Sequence, residues 1–149
     1  MALQLIKDEV LKEMEAVKCF IDLAIKAQKA GYEKAAEYFL TQAQEDCHHA
    51  FKYAKELDKH GEVPGDMTIT AIVQKFLNLE KDATTRVLAI QDQILAENNK
   101  ALLPFTMEVL KDHSDEAYIA QKLLQKVTIL DKQEALNDIE ELFTQLLEK

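Results

Sequence analysis

Apolar residues recur every third or fourth position along almost the whole of this 149-residue chain, and strand-like alternation never lasts more than a few residues. The pattern predicts five helices. The first runs from about Leu3 to Lys29 and ends at Gly31; the second runs from about Glu33 to Lys59 and ends at Gly61. The stretch His60 to Thr68, with Gly61, Pro64 and Gly65, is the one clear break. A third helix follows to about Asn98, and Asn98-Asn99 forms a turn. Pro104 suits the first turn of a fourth helix, which continues to about Leu130. Asp131, three residues before Glu134, reads as a capping-box start for a short fifth helix ending near Leu147.

The inward stripes follow from the same spacing. They are Ile6, Val10, Glu13, Val17, Phe20 and Ala24 on the first helix, and Ala36, Phe39, Ala43, Asp46, Ala50, Tyr53 and Leu57 on the second. The third presents Val73, Phe76, Glu80, Ala83, Val87, Ile90 and Ile94, and the fourth Val109, His113, Glu116, Ala120, Leu123 and Val127. All four are interrupted at mid-length by acid or imidazole, where a lone ionisable group is costly. One spacing occurs twice. Glu13 precedes Asp46 by 33 residues, with His49 three further on; Glu80 precedes His113 by 33, with Glu116 three further on.

Four carboxylates and two imidazoles at matching depth in a helical bundle are the inventory of a two-metal carboxylate site. A hard iron ion prefers carboxylate oxygen tempered by imidazole nitrogen. Without cations such a cluster repels itself, which favours protonation of at least one acid. The i, i+3 pairs Asp46/His49 and His113/Glu116 project from one helix face a turn apart, so both members can reach one cation. Glu45/His48 has the same spacing but shares its face with Thr41 and Lys52, a polar side, so the register shifted by one residue is disfavoured.

Composition narrows the setting. Three Gly, two Pro, 48% hydrophobic and 30% charged residues suit one helical domain over residues 1–149 rather than a loop-rich β fold. A net charge of −9 argues against nucleic acid or an anionic membrane as partners and suits cation handling. The charged amino-terminal segment does not read as a signal peptide, and no apolar run spans a bilayer, so a cytoplasmic protein is expected. Cys19 and Cys47 fall about 7 Å out of level on adjacent antiparallel helices. The expectation is two buried thiols in a reducing compartment.

The run Gln42-Ala43-Gln44-Glu45-Asp46-Cys47-His48-His49-Ala50 resembles the Gln-Ala-x-Glu-Glu-x-x-His-Ala stretch of ferritin helices. Leu77-Asn78-Leu79-Glu80-Lys81 resembles the family's segment around the ferroxidase glutamate, and Asp112-His113-Ser114-Asp115-Glu116 the acidic run of bacterial non-haem ferritins. The likeness extends over nearly the full chain. It implies an all-α, ferritin-like four-helix bundle with a long crossover between the second and third helices and a short fifth helix at the carboxyl end.

The resemblance further implies an iron-storage ferroxidase that oxidises Fe(II) at a di-iron site with dioxygen or hydrogen peroxide and keeps ferric mineral inside a homo-oligomeric shell of 24 subunits. Glu13 and His49 would hold the first iron and Glu80 the second, with Asp46 between them and His113 and Glu116 completing the set. Glu45, Asp112 and Asp115, sharing Glu116, match a third iron position in residue type; a plain solvated acidic face explains them as well. Four departures matter. Asp46 is one methylene shorter than the usual Glu, and His113 stands where Gln or Glu is commoner. Phe20 replaces the tyrosine usual near the site, and Cys47 replaces the haem-ligating methionine of bacterioferritins, so no haem is expected.

Parallel second and third helices, with Asp46 and Glu80 level, require the connection to cover roughly 30 Å at about 3.4 Å per extended residue. Residues 60–68 barely reach, which moves the expected start of the third helix toward Val73. An up-down-up-down bundle is the alternative topology. The alternative functions are a rubrerythrin-like peroxide reductase, disfavoured because the chain has no Cys-x-x-Cys pairs, and a metal-free structural bundle. The fifth helix carries a short stripe, Leu136, Ile139, Phe143 and Leu146. Too short to be stable alone, it either gathers around the fourfold axis of a shell, the favoured reading, or packs back on its own bundle.

Overall fold

The computed structural model describes Met1–Lys149 and contains five α-helices and no strand. They are α1 (Ala2–Lys29), α2 (Glu33–Lys59), α3 (Ile69–Ala96), α4 (Leu103–Lys132) and α5 (Leu136–Leu147), with a 3₁₀ turn at Lys100–Leu102. Two compact units share the chain, Met1–Gly65 and Asp66–Lys149. No helix is long and apolar enough to cross a membrane.

The first unit is the α1–α2 hairpin. Gly31 turns the chain at φ +91, its N–H donating to the Gln28 carbonyl at 3.0 Å while the Tyr32 N–H donates to the Ala27 carbonyl at 2.8 Å. The seam between the helices follows a seven-residue repeat. On α2, Ala36, Ala43, Ala50 and Leu57 are buried, and Phe39, Asp46 and Tyr53 alternate with them half-buried. Alanine at three of these four positions, 36, 43 and 50, lets the two backbones approach closely along a coiled-coil-like seam. On α1 the matching stripe, Ile6 to Ala24, is half-buried to buried at every expected position. Phe20 stacks on Phe39 with ring centroids 6.3 Å apart, and Lys7 Nζ reaches back to Glu62 Oε2 at 2.6 Å.

The second unit packs α3 against α4 and seats α5 on that hairpin. Val73, Val127, Leu123 and Ile139 form its core, with Ile69, Leu124, Leu130, Leu142, Phe143 and Leu146 packed around them. On α3 the repeat Val73, Val87, Ile94 is buried with Glu80 in line; on α4 the repeat Thr106, Ala120, Val127 is buried with His113 in line.

Several expectations need correction. The third helix begins at Ile69 rather than near Val73, because the Thr68 side chain accepts the Ala71 N–H at 3.1 Å and caps the helix there. Ile90 is exposed, and Leu77, absent from the expected stripe, is buried, since the seam runs through Val87 and Gln91 to Ile94. Asp131 caps nothing. It lies inside α4 and accepts a hydrogen bond from Thr70 Oγ1 at 3.0 Å, while Glu134 occupies a turn at φ 54 and α5 starts at Leu136. The stripe of α5 packs on its own hairpin, the second of the two expected placements: Ile139 is only 5% exposed, Phe143 and Leu146 are half-buried, and Leu136 stays outside. Cys19 and Cys47 are free but exposed rather than buried, each lying outside its helix's seam.

Candidate metal centre

Each ionisable residue at mid-length takes a seam position that the repeat otherwise gives to a packed residue. Glu13 lies seven residues from both Ile6 and Phe20, Asp46 from Phe39 and Tyr53, Glu80 from Val73 and Val87, and His113 from Thr106 and Ala120. The helices form because the repeat around these residues is intact. The carboxylates are carried inward by their neighbours' burial, against their own solvation.

In the α1–α2 hairpin, Glu13, Asp46 and His49 meet. One ligand atom from each lies within 4.8 Å of the others. His49 Nδ1 stands 3.6 Å from Glu13 Oε2 and 3.5 Å from Asp46 Oδ1, with side chains 48%, 17% and 15% exposed respectively. Those separations are too long for good hydrogen bonds. They lie slightly beyond the about 3.0–3.4 Å that separates ligands about 2.1 Å from a tetrahedral or octahedral metal, so a cation between them would draw the three together. Two carboxylate oxygens with one imidazole nitrogen is also a donor set that Fe(II) accepts. On one side of this layer stands the Phe20–Phe39 stack. On the other is an open hollow of about 400 Å³ lined by Glu13, His49, Lys52 and Tyr53.

In the α3–α4 hairpin, His113 Nδ1 and Glu80 Oε2 are 2.7 Å apart, a direct hydrogen bond across the seam between half-buried side chains. The resulting arrangement is two acid–imidazole groups, one in each hairpin, each bridging its own helix pair. Glu116 does not join its group. It is exposed on α4, because the buried line passes from His113 to Ala117 and Ala120 and leaves Glu116 at the rim.

The residues of the weaker iron position are all on solvated faces. Glu45, Asp112 and Asp115 are exposed, and Asp115 accepts from Lys111 Nζ at 2.8 Å. That hydrogen bond, with the charge of Asp115 behind it, raises the Lys111 ammonium above its ordinary value. His48, the partner of Glu45 in the shifted register, is exposed too. Tyr53 lines the hollow from the inward stripe on which the sequence places it, whereas Lys52, expected on the polar face with Glu45 and His48, lines it too. The spacing of Lys52 could have revealed it, being three residues beyond His49 and so on the same face.

No protein-family model matches the chain, and no curated protein matches it in sequence. Solved structures do. A closed form of the Archaeoglobus fulgidus ferritin, engineered by site-directed mutagenesis, is 16% identical with TM-score 0.50, over 94% of this chain and 93% of that one. The open-pore ferritin of the same hyperthermophilic archaeon is 17% identical at TM-score 0.49, over 94% and 93%. An iron-soaked variant of the Pseudo-nitzschia ferritin PmFTN is 20% identical at TM-score 0.43, over 87% and 90%. With five helices in matching order, the last one short, and near-complete coverage of the first of these chains, this protein has the ferritin fold.

Proposed function

We propose that this protein is an iron-storage ferroxidase. Two Fe(II) ions are its substrates, dioxygen or hydrogen peroxide its oxidant, and ferric mineral inside a cytoplasmic homo-oligomeric shell, of 24 subunits as in ferritins, its product. The observation that carries the reading is the convergence of Glu13, Asp46 and His49 on one point of the first hairpin. The Glu80–His113 pair in the equivalent seam of the second hairpin supports it.

Glu13 and His49 bind the first Fe(II), and Glu80 with His113 binds the second. Asp46 adds its carboxylate beside Glu13 and His49, and Glu116 supplies one more at the rim of α4. Each iron gives up one electron, so the pair reduces dioxygen and two protons to hydrogen peroxide, or hydrogen peroxide and two protons to water. The carboxylates stabilise the charge gained on passing to Fe(III), and each hairpin's paired helices hold the ligands of one substrate ion. The Phe20–Phe39 layer keeps water from one side of the site, while the hollow beside Lys52 and Tyr53 leaves the other open.

The test is stopped-flow absorbance after mixing Fe(II) with aerobic protein, wild type against Glu80→Gln. The variant keeps size and much of the hydrogen bonding but loses the anion that holds the second iron. The fast phase is expected to fall by about 100-fold, with helicity unchanged by circular dichroism. Equal fast phases would overturn the paired-site reading and leave the acids as a passive cation attractant.

A further inference from the structure

Away from the acidic groups, the second unit has a cleft of opposite character between α4 and α5. Its floor is apolar, made by Ile119 and Leu123 of α4 and Leu142 and Leu146 of α5. Its rim is basic: Lys122 and Lys126 stand one helical turn apart, with Lys149 beyond them, and no acidic side chain lines it. In a chain with 27 acidic against 18 basic residues, a cleft lined by Lys122 and Lys126 a turn apart, and by no acidic side chain, is a marked segregation of charge. None of the chain's ion pairs uses these lysines. Lys122 instead lies over the Tyr118 ring, 5.4 Å from its centroid. Like charges at i and i+4 repel on a helix, so this face costs stability until an anion joins it.

From this we propose that the α4–α5 cleft binds a small amphiphilic anion, an acyl carboxylate whose head is held by Lys122 and Lys126 and whose tail lies on the leucine floor. The volume, about 250 Å³, is below the usual span of about 300–1,000 Å³ for drug-sized ligands, which limits the tail to a short or medium chain. Charge selects the carboxylate over a neutral lipid, and the apolar floor selects it over a bare inorganic anion. The site exists because α5 packs on its own hairpin; a free α5 would leave one wall missing. Occupancy therefore stabilises that docking by mass action.

The test is calorimetric titration of the full chain with octanoate below its micelle concentration, beside acetate, octanamide and an oligoglutamate peptide. Octanoate is expected to bind saturably, with a dissociation constant at or below about 1 mM, and the other three at least about tenfold more weakly. Lys122→Gln with Lys126→Gln, both exposed and outside the core, is expected to weaken octanoate by about tenfold without changing helicity. The same variant should leave Fe(II) oxidation as in wild type, so failure here is distinguishable from failure of the ferroxidase reading. Absence of saturable octanoate binding, equal binding of octanamide, or indifference to the two substitutions overturns the proposal. Preference for the peptide overturns it in favour of a protein-docking face.

Discussion

A carboxylate in the seam of a helical hairpin is unfavourable unless a positive group meets it, and Glu13 and Asp46 both occupy such positions with only the His49 ring between them. A divalent cation that binds the folded hairpin and not the open chain must therefore stabilise it. At a concentration 100 times its dissociation constant the gain is about 2.7 kcal/mol. We expect anaerobic Fe(II) to raise the thermal midpoint of the wild type, and His49→Ala to lose most of that rise while melting near wild type without metal. A metal-induced shift of equal size in the variant would remove His49 from the site. A second expectation concerns Lys7 and Glu62. The Lys7 hydrogen bond, and then its charge, hold the Glu62 carboxyl below its ordinary value. A carboxyl lowered by folding contributes stability at neutral pH that disappears as the pH falls through the carboxylate range. The melting difference between wild type and Lys7→Met should thus be small and positive at pH 7 and vanish in acid; a difference that persists at low pH would mean Lys7 acts through packing alone. Glu13, Asp46, Glu80 and His113 were legible as inward because unbroken repeats flank them on both sides. Glu116 was not, since a residue at the rim of a stripe turns in or out with the helix's rotation against its neighbours, which spacing does not contain.

At the scale of the element, helix existence was legible and helix docking was not. The second helix was placed at Glu33–Lys59 from Gly31, Gly61 and an uninterrupted stripe, and the structure has those bounds. Asp131 looked like a cap from its neighbours alone, but its carboxylate is used by Thr70, 61 residues away in sequence. The length of the crossover argues against a helix start at Thr68, yet its side chain caps α3 there. The fifth helix shows the limit most clearly: its apolar stripe predicts that it packs, and nothing in the stripe says against what. Because Ile139 belongs to the same core as Val73, Leu123 and Val127, deletion of residues 134–149 should unfold part of the second hairpin rather than release intact smaller oligomers. The milder test is Ile139→Ala, which should cost about 2–4 kcal/mol in chemical denaturation. A loss under about 1 kcal/mol would mean that α5 contributes little to the core and is free to serve elsewhere.

For the whole molecule, the apolar residues left outside are what bear on assembly. Single exposed apolar side chains are ordinary, but on α1 Leu11, Met14, Ile21 and Ile25 are exposed at helical spacing, on a helix whose other face already packs on α2. Leu40 and Phe51 on α2 are exposed as well, and within the second unit so are Ile72 and Leu79 on α3. A helix with apolar residues on two faces is normally buried on both. Association of copies is thus expected, and storage makes a stronger demand, because only a closed shell encloses space for mineral. We expect the purified chain to elute in size-exclusion chromatography with light scattering at the mass of a many-subunit particle, about 400 kDa for 24 chains of 17.0 kDa. Aerobic Fe(II) should then raise its mass and density without changing its elution volume, since mineral fills the interior and leaves the outer radius unchanged. A particle that grows in radius, or an assembly no larger than a dimer, would exclude internal storage. It would leave the Glu13–Asp46–His49 group as a site of oxidation alone, with its ferric product released to solution.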